Sequence, residues 1–209
     1  GETLLGRDPN SREARDLLGE AVEAMRGLVE KTPADPLRHY FLGSMAGALA
    51  KARPKPEDAR PDRELALAEA RRAVELTGGK VPTYRLLLTD SLAELAGVDV
   101  KLAAYEDARK LAMEIPRQSS PTAPGCVAGA RLLAKLAAAA RDDSRLDADA
   151  RDETERKALL SAAMLLREAL DADPTLDVEV RKDPDFQGVL NHADLKILLG
   201  GLAQPPVRP

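Results

Sequence analysis

Ala162-Ala163-Met164-Leu165-Leu166-Arg167-Glu168-Ala169-Leu170-Asp171-Ala172-Asp173-Pro174 is the stretch whose reading decides the fold. Within it Ala162, Leu166 and Ala169 stand four and then three residues apart, a spacing that keeps all three on one face of an α-helix. Pro174 follows five residues later and stops the helix. The same phrase occurs three more times, as Ala21/Met25/Leu28/Pro33, Ala66/Ala70/Ala73/Gly78 and Ala104/Ala108/Leu111/Pro116. A small-residue stripe with a breaker at a fixed distance suits a helix that nests closely against its neighbours in a stacked array, and such internal repetition outranks other sequence signals for fold.

Composition agrees with helices. Of 209 residues, 44% are hydrophobic, 32% charged and only 2% aromatic, with no Trp. The scarcity of aromatics argues against a β-sandwich or barrel. It also argues against nucleic acid as a partner, since neither stacking platforms nor a basic stripe are present. The net charge of −4 is mild and both signs are interspersed, as expected for a solvated surface. One cysteine, Cys126, rules out an intramolecular disulfide. No apolar run approaches the ~20 residues of a membrane span, because Arg131 and Lys135 interrupt the longest one. No leader pattern is visible at Gly1-Glu2-Thr3. Residues 1–10 are expected to be an N-terminal extension left by cloning, and the chain a piece of a longer, cytoplasmic protein whose membrane attachment, if any, lies in a segment outside this chain.

The chain divides into seven expected main helices. Helix one spans Ser11–Lys31, with Asn10 and Glu13 as a capping box. Helix two spans Pro36–Ala52, where Gly43 and Gly47 admit the close approach of another backbone. Pro54 to Pro61 is expected as a loop. Helix three follows over Asp62–Thr77 and stops at Gly78-Gly79. Helix four is placed over Pro82–Ala96 with Gly97 ending it, and helix five over Asp99–Ile115 with Pro116 ending it. Arg117 to Pro124 is a linker, Gly125–Arg141 helix six, Asp142 to Asp152 a charged loop, and Asp152–Ala172 helix seven. Val178-Glu179-Val180 is too short to assign as a strand. Asp183-Pro184-Asp185 caps a short helix to about Leu190, and a second short helix runs from His192 to Leu199. Pro205 to Pro209 is expected to be a disordered tail.

The four-fold phrase resembles the second helix of the tetratricopeptide repeat, and Leu42-Gly43 with Ala46 resembles that family's first helix; Ser91-Leu92 with Leu95 is a weaker match. The steps between phrases, 45, 38 and 58 residues, exceed the family's period of about 34, so the repeats are degenerate. The close of the chain, Leu165 to Leu170 followed by Arg181-Lys182-Asp183-Pro184-Asp185-Phe186-Gln187, resembles repeat regions appended to bacterial serine/threonine protein kinases. No kinase signature is present, so the resemblance implies a non-catalytic regulatory or docking segment. The implied fold is an all-α, right-handed solenoid of about three and a half helical hairpins over residues 11–174, with a helical cap over 175–201 and a tail over 202–209.

The residues able to carry chemistry are the two histidines, the cysteine and the acidic loop. His39 has no partner at ligand spacing, and His192 and Asp194 fall on different helix faces. Cys126 opens helix six among apolar residues and reads as a small buried side chain. The Asp-rich loop lacks the glycine and terminal Glu of a calcium site. No cofactor, metal or catalytic residue is therefore expected. The resemblance implies a peptide-binding groove along the first helix of each pair. Register carried from Leu42-Gly43 places Tyr40 and Ser44 in it, then Thr89, Asp90 and Ala93 on the next such helix, and Arg131 and Lys135 on helix six. Asparagines for a clamp on chaperone-tail carboxylates are missing from these helices. The expected function is a non-catalytic protein-interaction module of a larger bacterial signalling protein, with a structural spacer or homodimerisation unit as the alternative.

Overall fold

A computed structural model describes residues 12–118, 123–192 and 195. The described residues are all-α: nine α-helices, two 3-10 turns and no strand. They fall into two compact units, residues 1–102 and 103–209.

In the first unit, α1 (Arg12–Lys31), α2 (Pro36–Lys51), α3 (Pro56–Leu76) and α4 (Pro82–Lys101) pack in consecutive pairs. Asp35 caps α2 by accepting from the Leu37 N–H, and Pro36 takes the first helical position, where a missing N–H costs nothing. Val22 and Val29 of α1 meet Leu42 and Leu49 of α2 in one cluster, flanked by Leu18, Met25, Met45 and Leu65. The α3 stripe Ala66, Ala70 and Ala73 is fully buried. Gly43 explains how closely α2 approaches it: a Cβ there would sit 3.1 Å from the Ala66 carbonyl oxygen. The phrase on α1 is less enclosed, and its Leu28 is exposed.

Two boundaries differ from expectation. Of the stretch Pro54 to Pro61 expected as a loop, all but Pro54 and Lys55 is helix: α3 starts at Pro56, with Glu57 and Asp58 in its first turn and Pro61 inside it. Pro56 is tolerated at the helix start, the acids complement the helix dipole, and only the bond to the Glu57 carbonyl is forgone at Pro61. Nor does Gly97 end α4, which continues to Lys101. The added turn buries Val98 and Asp99, and Asp99 accepts a 2.8 Å bond from Arg60 Nε of α3. These contacts outweigh the ~1 kcal/mol that an interior glycine costs. The break comes instead at Ala103, which adopts φ 61.

In the second unit, α5 (Tyr105–Gln118), α6 (Ala123–Arg141) and α7 (Ala148–Ala172) pack in sequence. Pro116 lies inside α5 rather than ending it. The carbonyl it cannot bond, that of Ala112, is the atom against which Gly129 of α6 packs, at 2.8 Å from a notional Cβ. The short helices α8 (Asp177–Lys182) and α9 (Gln187–Asn191), each preceded by a 3-10 turn, follow Pro174 and Pro184. Val178 to Val180 is thus helix. Val180, Phe186 and Val189 are fully buried, with α9 lying against α6 and α7, so this segment covers the apolar face those helices leave open. The Asn10 cap, most of the linker after Gln118, the His192–Leu199 helix beyond His192 and the tail lie outside the described residues.

The charged loop after Arg141 ends at Asp147 rather than at the expected Asp152, because α7 starts at Ala148, and it is ordered by its own charges. Asp143 accepts 2.7–3.0 Å bonds from Arg145 and a 2.6 Å bond from the Tyr105 hydroxyl. Asp147 caps α7 by accepting from Ala150 N–H. Arg145 and then Tyr105 hold the Asp143 carboxyl well below the usual carboxylate range, while burial and then Asp143 push the Tyr105 phenol up.

Candidate functional site

Along α2, Tyr40, Gly43, Ser44, Gly47, Ala48 and Lys51 recur at helical spacing on one face; along α4, Thr83, Leu86, Leu87, Asp90, Ser91 and Glu94 do the same. Each residue of the first stripe has a counterpart 43 positions on. Together they line a cavity of about 360 Å³ in the first unit. The two helices are tied at both ends of it. At one end the Tyr40 and Tyr84 rings lie 5.2 Å apart, with Phe41 packed edge-on against Tyr40 at 5.5 Å. At the other, Lys51 Nζ meets Glu94 at 2.7 Å. Between these ties the α2 wall is built of glycine, serine and alanine, so the helices leave space instead of filling it.

Beneath the Lys51–Glu94 tie sits Arg63 of α3, 7% exposed. Its Nη1 donates to the Gly47 carbonyl at 3.1 Å and to the second oxygen of Glu94. Its Nε is buried without a hydrogen-bond partner among the described residues. Burial lowers the guanidinium pKa against the pull of Glu94 and Asp62. Glu94 thus serves two cations. Asp90, one turn earlier on the same face, forms no ion pair or hydrogen bond among the described residues, and burial and then Glu94 raise its carboxyl pKa, opposed by Lys51.

Of the residues expected in the groove, Tyr40, Ser44 and Asp90 line it. Thr89 and Ala93 do not; the Thr89 hydroxyl turns back onto the Arg85 carbonyl at 3.0 Å. The register carried from Leu42-Gly43 to Ser91-Leu92 is six residues too long, which rotates the stripe well off the groove face. Arg131 and Lys135 belong to the second unit and are engaged by its C-terminal segment. Arg131 donates to Asp183 at 2.7 Å and lies over the Phe186 ring at 5.6 Å, and Lys135 meets Asp185 at 3.2 Å. The sequence reading missed Lys51, Glu94 and Leu86. The opposite charges 43 residues apart, Lys51 and Glu94, were a usable signal.

His39 and Cys126 are held in the packing of their helices. His39 is buried, with Nδ1 2.5 Å from Glu69 and Nε2 3.0 Å from the Pro33 carbonyl, tying α2 to α3 and to the turn before it. Cys126 is buried in α6, and burial followed by Glu168 pushes its thiol pKa up. His192 Nδ1 is buried without a hydrogen-bond partner among the described residues. No cluster of three or more His, Cys, Asp or Glu able to hold a metal occurs among the described residues. Among them one helix, α6, is long and apolar enough to cross a membrane, and 61% of that stretch is buried inside the protein. No protein-family model and no curated protein sequence matches the chain.

Proposed function

We propose that this chain is a tetratricopeptide-like protein-interaction module that docks a segment of a partner protein in the α2–α4 groove, without catalysis of its own. The observation that carries the reading is the groove itself: two helices tied at both ends, with small residues along one wall and about 360 Å³ open between them. A preformed cleft of that kind spares the protein reorganisation on binding, so ordering costs fall on the ligand. The Asp183-Pro184-Asp185-Phe186 segment supports placing the module in a larger, cytoplasmic bacterial signalling protein, through its resemblance to kinase-appended repeats. Random peptides displayed on phage and selected on the intact chain test the reading. Selected peptides are expected to lose at least tenfold in affinity when Ser44→Arg fills the groove, with helix content by circular dichroism unchanged. Selection that yields only peptides indifferent to Ser44→Arg sinks it.

The second reading, self-association, draws on Leu17 and Leu28 of the amphipathic helix α1, which are 46% and 42% exposed. Sedimentation equilibrium separates the two: a concentration-dependent dimer that Leu17→Glu with Leu28→Glu abolishes favours self-association.

A further inference from the structure

The charges of the groove are unevenly satisfied. Lys51 and Arg63 both pair with Glu94, while Asp90 stands in the same wall with no cation at bonding distance among the described residues. A carboxylate so placed, beside a second carboxylate and without a cation of its own, favours an incoming cation over an anion or a neutral group. Beside it the wall is apolar. Leu86 lies one turn before Asp90 and is 61% exposed, with Leu87 next to it and the Tyr40 ring across on α2. The lining stripes each span twelve residues of helix, eleven steps of 1.5 Å or about 16 Å end to end, which an extended chain crosses in about five residues. A cavity of about 360 Å³ lies at the small end of ligand sites, too small to enclose a helix of 10–12 Å diameter.

Resting on the groove-docking reading above, we propose that the occupant is an extended peptide segment carrying Lys or Arg next to an aromatic or branched aliphatic residue. The cation meets Asp90, and the apolar side chain lies against Leu86, Leu87 and Tyr40. The peptide selection on the intact chain, counter-selected on Ser44→Arg and in a second arm on Ala48→Arg in case one variant misfolds, tests this. Groove-dependent clones are expected to be enriched in a basic residue adjacent to an apolar one. Titration calorimetry of those peptides is expected to show at least tenfold weaker binding to Asp90→Asn, with Thr89→Ala unchanged, and affinity that falls with added salt. Groove-dependent clones that lack a basic residue, or are rich in Asp and Glu, overturn the cation assignment and leave groove docking standing. Basic clones whose affinity ignores Asp90→Asn also overturn it. No groove-dependent clones in either arm overturns both.

Discussion

The two units treat a charged helix face in opposite ways. On α6 of the second unit, Arg131 and Lys135 are met by Asp183 and Asp185, and the Phe186 ring lies beneath the guanidinium. On α4 of the first, Asp90 faces a cleft into which no described segment of the chain reaches. The second unit therefore shows, within one molecule, a cation, a carboxylate and an aromatic ring closing on each other. The first offers the Asp90 carboxylate and the apolar wall, and its cations are taken by Glu94. A face that the chain completes itself serves stability; a face left incomplete is available to a partner.

The largest effect expected from breaking this contrast is at the completed face. Phe186 is fully buried, and Phe186→Ala should cost about 3–5 kcal/mol through the cavity it leaves, read as a lower urea midpoint at unchanged slope. Next come the two glycine walls. Gly129→Ala would place a Cβ 2.8 Å from the Ala112 carbonyl and 2.9 Å from Leu165, so backbone must move and about 1–3 kcal/mol should be lost. Gly47→Ala meets nothing closer than 3.7 Å and should gain up to about 1 kcal/mol from helix propensity. A destabilising Gly47→Ala would show the groove wall to be as tightly packed as the second unit.

Acid should separate the units further. Arg131, and then the Asp185 backbone N–H, hold the Asp183 carboxyl below its ordinary range against burial. Folding therefore makes this group bind its proton less readily. Its contribution is complete above the unfolded carboxylate value, about 3.9, and is lost as pH falls through the lower folded value. Asp143 behaves likewise. Asp183→Asn keeps an oxygen for the Asp185 N–H but loses the charge that pairs with Arg131; it should cost about 1 kcal/mol at pH 7, and its difference from the unsubstituted chain should vanish in acid denaturation series. Asp90 has the opposite sign: raised in the folded state, its ionised form weakens folding at neutral pH, and the penalty fades as pH falls toward about 4. Asp90→Asn without ligand should thus be neutral or stabilising by about 0.5 kcal/mol or less at pH 7. A clear loss of stability there would mean that Asp90 is a structural group after all.

Helix content and helix pairing were legible because the alanine and leucine stripes are long and periodic. The endings were not, where one residue type carries two meanings. Proline reads as a stop, yet Pro56 begins α3, Pro61 lies inside it, and Pro116 is accommodated near the end of α5 beside Gly129. Gly97 reads as a stop, yet the buried Asp99 and its bond from Arg60 carry α4 past it. Tyr40, Ser44 and Asp90, expected from the Leu42-Gly43 register, line the groove, whereas Thr89 and Ala93, expected with them, do not, because Ser91-Leu92 is a false match in register. The helix-starting prolines, Pro36 and Pro82, stand 46 residues apart; aligned on them, the stripes fall within one turn of the observed register and on the correct face. Arg131 and Lys135 looked exposed on their own helix, and only the folded position of Asp183 and Asp185 shows their partners.

The placement of the tyrosines has an optical consequence. The chain has no Trp and three Tyr, so its ultraviolet emission is tyrosine emission. Tyr40 and Tyr84 lie against each other, tilted, at one end of the groove in the first unit, while Tyr105 is buried in the second with its hydroxyl on Asp143. A single Tyr105→Phe change would leave a protein whose intrinsic signal comes from the groove alone. Occupancy there could then be followed in solution without a dye or a label.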